Sequence, residues 1–207
     1  MFQNFSPNML KTYILCPKKF YFKYVKNISM PVNDEIFELG KNIHALASYY
    51  LKKQNIDKME KSLSDREKNI WDYLKNLKYF AYEVIDSEYN LSFRIGEYFY
   101  GGRLDALVKN NDEYYIIDYK TGSAPKNAKY DFQTMIYLLA VRAFFKTDKV
   151  SFIYINLKNR EEVKVELQAE LIKEYENKLI DIALKINSED FSKPQKECKC
   201  EYNIICY

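Results

Sequence analysis

Apolar positions along the chain recur with two different periods, and the change between them divides it. Up to residue 80 they return at helical spacing. Segment 6–26, SPNMLKTYILCPKKFYFKYVK, opens on Ser6 and Pro7, a cap and a first-turn residue, and places Met9, Leu10, Tyr13 and Ile14 on one stripe. Pro17 interrupts the pattern, Phe20, Tyr21 and Tyr24 resume it, and Cys16 lies at the break. A second helix is predicted over 34–53, with its stripe at Ile36, Leu39, Ile43, Leu46 and Tyr50 and the only histidine, His44, beside it. A third, over 64–80, begins with Ser64 three residues before Glu67, a capping box, and buries Ile70, Trp71, Leu74 and Leu77. The polar, lysine-rich connection between these two reads as an insertion or lid.

From residue 82 the period shortens to that of strands. Segments 82–87 and 89–95 are strand-like, Gly96 punctuates, and a strand over about 98–108 leads into a return run, Tyr114–Lys120. Asn110-Asn111-Asp112 between them suits a tight turn. A loop over 122–130 precedes a strongly apolar helix over 130–146. A second hairpin follows at 149–157 and 161–167, then an amphipathic helix over 169–186 with Leu171, Tyr175, Leu179, Ile182 and Ile186 inward. Helices first, then strands flanked by helices, predict an α/β core with a mixed sheet. One domain over 1–207 is expected: a helical part at about 6–80, the sheet and its helices at about 82–187, and a cysteine-bearing tail at 194–207.

Composition narrows the function classes. A 47% hydrophobic, 29% charged chain of 207 residues can bury a real core, and only 5 Gly and 5 Pro argue against disorder. The net charge of +3 permits nucleic-acid binding, but bases and acids are interspersed, so any such contact must be a local patch. No apolar run is long enough to span a membrane, and MFQNFSPNML lacks the charge and apolar pattern of a secretory signal. A cytoplasmic location is expected, where disulfides are disfavoured. The four cysteines therefore need another explanation.

The candidate chemistry centres on Gly102–Gly122, GRLDALVKNNDEYYIIDYKTG. Alternation along a strand puts Asp118 and Lys120 on one face. If Asn111-Asp112 forms the turn, Asn110 faces Glu113 and Asp105 falls opposite Asp118, where Cβ atoms lie only about 4.5–5.5 Å apart. Two carboxylates that close call for a cation, and a divalent metal beside a lysine is the simplest solution. Phosphodiester hydrolysis needs that combination: Asp105 and Asp118 would hold Mg²⁺ or Mn²⁺, and Lys120 would stand beside the scissile phosphate.

This hairpin resembles the core of the PD-(D/E)XK nuclease superfamily, with Asp118-Tyr119-Lys120 as its D-x-K. Gly102-x-x-Asp105 followed by Asp118-Tyr119-Lys120-Thr121-Gly122 resembles, more narrowly, the RecB-like nuclease family, which includes AddB nuclease domains and CRISPR-associated iron–sulfur exonucleases. The resemblance implies a restriction-endonuclease-like core. Gly40-Lys41-Asn42-Ile43-His44 is similar to the family's G-x-x-x-H helix, which implies that His44 completes the metal site together with the Tyr119 carbonyl. Gln133 and Tyr137 share a helix face and resemble its Q-x-x-x-Y, which implies that they contact DNA or line the site. No G-x-x-x-x-G-K-[ST] phosphate loop is present, so a stand-alone nuclease or the nuclease subunit of a larger assembly is implied, with helicase or CRISPR-adaptation proteins as partners. The resemblance also implies exonucleolytic cutting of single-stranded DNA, in repair, recombination or CRISPR adaptation.

One cysteine far from a group of three suits a tetrahedral metal or a cubane cluster that ties the chain ends together. Tyr13-Ile14-Leu15-Cys16-Pro17-Lys18-Lys19-Phe20-Tyr21 resembles the family's Y-x-x-C-P-x-x-F-Y, which implies that Cys16 joins Cys198, Cys200 and Cys206 around a [4Fe–4S] centre; zinc is the alternative. Cys200 and Cys206 keep the family's five-residue gap, whereas a single residue, not two, separates Cys198 from Cys200. Expected DNA contacts are Lys18, Lys19 and Lys23 near the first helix and Lys126 and Lys129 after the hairpin, with neighbouring aromatics available to stack on bases.

Overall fold

A computed structural model describes residues 1–31, 35–192 and 200–206, and side chains within the helix that starts at Glu35 from residue 38 onward. Strand β1 (Asn4–Phe5) precedes helix α1 (Pro7–Leu15), which Ser6 caps by accepting from the Met9 amide. Cys16 breaks the helix in extended conformation and caps the short α2 (Pro17–Phe20), which passes into a π-helical turn over Tyr21–Val25. Helix α3 (Glu35–Leu51) follows. The connection expected as a lid contains a short helix, α4 (Asp57–Ser62). Helix α5 (Asp65–Lys75) starts with the capping box of Ser64 and Glu67 but stops five residues before the expected end, and a 3₁₀ turn takes Lys78–Ala81.

The sheet is open, mixed and covered by helices on both faces, so the chain is α/β as expected. Strand β2 is continuous over Glu83–Ile95, where two short strands were expected; it absorbs a bulge between Val84 and Asp86 and a left-handed residue, Glu88 (φ 52°). Strand β3 (Tyr98–Asn110) pairs antiparallel with all of β2 along one edge. Its other edge is shared: β1 pairs with Phe99 and Tyr100, and β4 (Glu113–Lys120) with Ala106–Asn110. The stretch from Gly101 to Asp105 on that edge lies between the two. Helix α6 (Phe132–Phe145) crosses to β5 (Val150–Asn156), parallel to β4, and β6 (Glu162–Glu166) and α7 (Ala169–Asn187) complete the fold.

Strand alternation splits the core in two. Ile116, Phe152 and Tyr154 pack with α1, α6 and α7 through Leu10, Met135, Ile136 and Leu179. Ile117, Ile153 and Ile155 pack on the other face with α3 and α5 through Ile43, Leu46, Trp71 and Leu74. Every residue of β5 is buried, as expected of a strand covered on both sides.

The two ends of the chain meet. Asn187 holds both backbone groups of Phe2, at 2.7 and 2.9 Å, and the Tyr13 hydroxyl donates to the carbonyls of Lys185 and Asp190.

At Gly102 the close approach of α6 forbids a side chain: a Cβ there would lie 2.8 Å from the Tyr137 hydroxyl oxygen. Gly102→Ala is therefore expected to destabilise by about 1–3 kcal/mol in chemical denaturation. Adding Tyr137→Phe removes the clashing oxygen, so the double variant should lose less stability than the two single changes combined.

Candidate active site

The site sits where β3 and β4 part. The register matches the sequence expectation: Asn110 pairs with Glu113, and the last pair is Ala106 with Ile117. One step on, where Asp105 stands across from Asp118, the ladder ends. The Tyr119 amide turns instead to the Asp105 carboxylate, donating to Oδ2 at 2.9 Å.

Helix α3, from one face of the sheet, brings His44 to this point. The helix lies against the end of β4 at Gly40, where an added Cβ would sit at ordinary contact distance, 3.5 Å from Thr121. The imidazole spans two of the expected ligands, with Nδ1 3.2 Å from Asp105 Oδ1 and Nε2 3.0 Å from the Tyr119 carbonyl oxygen. Burial opposes its protonation, but the hydrogen bond and charge of Asp105, helped by Asp118 and the Tyr119 carbonyl, outweigh it and raise the His44 pKa above the ordinary 6.5.

Helix α6, from the opposite face, brings Gln133 to Asp118. Its first turn is set by Asp131, which caps the helix by accepting from the Gln133 amide. Asp118 is only 3% exposed. Gln133 Nε2 donates to its Oδ1 at 2.5 Å, and the Lys120 ammonium lies 2.7 Å from its Oδ2. Lys120 also donates to Gln133 Oε1 at 3.1 Å, so the three side chains close a ring of contacts. Burial first, and then the Asp105 charge, raise the Asp118 pKa, against the opposing pull of Lys120 and His44.

Glu88 is the residue that sequence reasoning missed. One ligand atom each from His44, Glu88 and Asp105 lie within 4.8 Å of one another. Glu88 stands at the left-handed position of β2 and is paired with Arg103, Nε to Oε2 at 2.7 Å. The neighbouring Ser87 hydroxyl binds the Ser48 hydroxyl at 2.8 Å, which pins β2 to α3 beside the site. The available signal was an acid at the gap between two strand-like segments, at a position that period-two alternation does not explain.

Of these groups His44, Glu88, Arg103, Asp105, Tyr119 and Lys120 line a cavity of ≈ 690 Å³, and Asp118 and Gln133 stand behind its wall, in contact with Lys120. A larger one, ≈ 1100 Å³, lies at the far end of α3, where lysines and acids alternate and none of the expected catalytic residues is present. The donor set fits a hard divalent cation: carboxylates, one imidazole and one carbonyl. The close grouping of one ligand atom each from His44, Glu88 and Asp105 supports the fit.

The remaining expected residues fall elsewhere. Tyr137 is 3% exposed, and its hydroxyl donates to the Arg103 carbonyl at 3.0 Å; it braces β3 behind the site and does not line the cavity. Lys19 pairs with Glu201 at 2.9 Å, tying α2 to the tail. Lys18 is half-buried, its ammonium over the rings of Tyr21 and Phe22. Lys126 is exposed on the loop after β4. Cys16 is buried, its sulfur accepting from the Lys19 amide. Cys206 is buried with Phe22 and Tyr202, and Cys200 packs against that cluster. Of the tail expected at 194–207, residues 194–199, Cys198 among them, and residue 207 lie outside the described residues.

A family model described as the PD-(D/E)XK nuclease superfamily matches residues 4–207. The CRISPR-associated exonuclease Cas4 of Francisella tularensis subsp. novicida (strain U112) is 22% identical over 204 residues, covering 96% of this chain and 91% of its own. The crystal structure of a Eubacterium rectale protein assigned as an exonuclease superposes with a TM-score of 0.62 at 11% identity, over 97% of this chain and 88% of its own.

A cation bound at this site competes with protons on His44 and Asp118, both of which have raised pKa values. Mn²⁺ affinity measured by calorimetry should therefore rise between about pH 6 and 8, and His44→Ala should make that dependence shallower. Glu88→Gln should weaken Mn²⁺ binding by about tenfold, with little change in melting temperature.

Proposed function

The chain belongs to the PD-(D/E)XK nuclease superfamily, and from that premise we propose that it is a divalent-metal-dependent deoxyribonuclease acting on single-stranded DNA. The observation that carries this reading is the convergence of two sets of groups at one strand divergence. His44, Asp105 and the Tyr119 carbonyl form one set; Asp118, Lys120 and Gln133 form the other. His44, Asp105, Asp118 and the Tyr119 carbonyl would hold Mg²⁺ or Mn²⁺. Such a cation supplies charge to polarise the scissile phosphate and lowers the pKa of an attacking water.

The chain's own residues do the rest. Asp105 is fixed by the Tyr119 amide and His44, so both its oxygens are oriented before substrate arrives. Lys120 is held by Asp118 and Gln133, which places its ammonium to balance negative charge building on the phosphate. In hydrolysis the water oxygen bonds to phosphorus as its proton passes to solvent, the P–O ester bond breaks, and the departing oxygen takes a proton from solvent. Exonucleolytic action is supported by the Francisella relative, whose name describes an exonuclease. The same name supports a CRISPR-associated setting, in which adaptation is the role proposed; repair or recombination beside a helicase is the other setting that suits such an enzyme.

Cys16, Cys198, Cys200 and Cys206 are read as ligands of a [4Fe–4S] cluster, with zinc as the alternative. The fit rests on donor chemistry and surroundings. Cys206 lies among aromatic rings, and Tyr202 anchors the tail by donating to the Ile28 carbonyl at 2.8 Å. The cluster's role in this reading is structural, clamping the chain ends beside α1.

With end-labelled single- and double-stranded DNA and Mn²⁺, the parent should cut single strands, and Asp118→Ala and Lys120→Ala should each lower the rate by about 10²-fold or more. Variants as active as the parent would overturn the site. A parent that binds DNA without cutting would point to a scaffolding subunit with a nuclease fold. Anaerobic protein should be brown, and a Cys16→Ala preparation should lose colour and iron; a colourless parent carrying zinc decides for the alternative.

A further inference from the structure

A phosphodiester has a nucleoside on each side, so a site that cuts one needs room in two directions from the phosphate. The cavity described above provides one. A second, ≈ 660 Å³, begins on the other side of Lys120, which lines both. Its walls are the last turn of α1 and the chain from Ser123 to Phe132. Lys11 in α1 pairs with Asp131 at 2.9 Å, tying that helix to the N-terminus of α6 and fixing the width of the cleft. The wall on the α1 side is apolar and open: Ile14 is 57% exposed and Leu15 72%. Exposed side chains of this kind, at the mouth of a cleft that shares a residue with the catalytic centre, have no role in the core. Across from them stand Pro125 and the ring of Tyr130, with Ser123 and Asn127 offering hydrogen bonds at the edge.

We infer that this second cavity is the subsite for the nucleoside next to the scissile phosphate, with its base, unpaired, lying against Ile14, Leu15 and Tyr130. An apolar cleft accepts the face of any base, so it tolerates sequence, and it excludes a base still paired in a duplex. Cys16 comes directly after Leu15, so whatever holds Cys16 also sets the position of this wall.

The inference rests on the nuclease reading, and the test separates the two. Binding of a fluorescent single-stranded oligonucleotide is measured by anisotropy on the Asp118→Ala background, and cutting is measured on the active chain. The paired change Ile14→Ala with Leu15→Ala should reduce binding and kcat/KM by about five- to tenfold. Leu15→Met should recover most of the loss, and Leu184→Ala, an equally solvated position on α7, should cause none. An oligonucleotide in which one abasic residue is walked along the strand should bind the parent weakly at one position, and there the paired variant should show no further loss. The subsite is overturned if the paired variant handles intact strands within about twofold of the parent, or if its loss is the same wherever the abasic residue stands. A parent that neither binds nor cuts DNA removes the nuclease reading, and the subsite with it.

Discussion

A carboxylate with almost no exposure has to be met by positive charge or by hydrogen-bond donors, because the cost of leaving it unmet is several kcal/mol. Asp118 is in that position, at the end of β4 between two helical layers. Gln133 and Lys120 meet it, one from α6 and one from two residues along the same strand. Satisfying Asp118 therefore sets the docking of α6 on the sheet and directs Lys120 toward the cavity. A second carboxylate, Asp105, lies close enough to raise the Asp118 pKa. Lys120 balances one negative charge of the pair and His44 stands against the other carboxylate, and it is toward this concentration of negative charge that the proposed cation would be drawn.

The sheet supplies the opening in which that demand can be met. Strand β3 gives one whole edge to β2 and divides the other between β1 and β4. In the interval the backbone turns to side chains: Tyr137 takes the Arg103 carbonyl, and Asp105 takes the Tyr119 amide. A continuous ladder would have consumed these groups and closed the site. The helices on the two faces then reach the same point from opposite directions, His44 from α3 and Gln133 from α6.

Much of this was legible. The turn at Asn111, the register across it, the helix that carries His44 and the face shared by Gln133 and Tyr137 all follow from local periodicity. Where reading failed, the reason is tertiary. Strand β2 was taken as two segments because a bulge and a left-handed Glu88 break the alternation, yet pairing with the full length of β3 keeps it one strand. That same break hid Glu88 as a site residue. The resemblance to Q-x-x-x-Y implies a site role for Tyr137, but one helical turn from Gln133 the same face is already buried under the sheet. The pairing of Lys19 with Glu201 of the tail has no local sequence signal either.

The amino-acid sequence by itself determined the strand that carries Asp118 and Lys120, the turn that brings Asp105 opposite, and the helices with His44 and Gln133. Those features depend on contacts a few residues apart or on alternation along one strand, which short-range sterics and burial enforce. Only the tertiary structure decided which of these groups converge, because that depends on where β4 leaves β3, which edge β1 takes, and how closely α3 and α6 approach the gap. Glu88, the bracing role of Tyr137 and the apolar wall of Ile14 and Leu15 beside Lys120 belong to this second class. Each is defined by a neighbour from a distant part of the chain, and local pattern marks at most the break in alternation at Glu88 without giving its role.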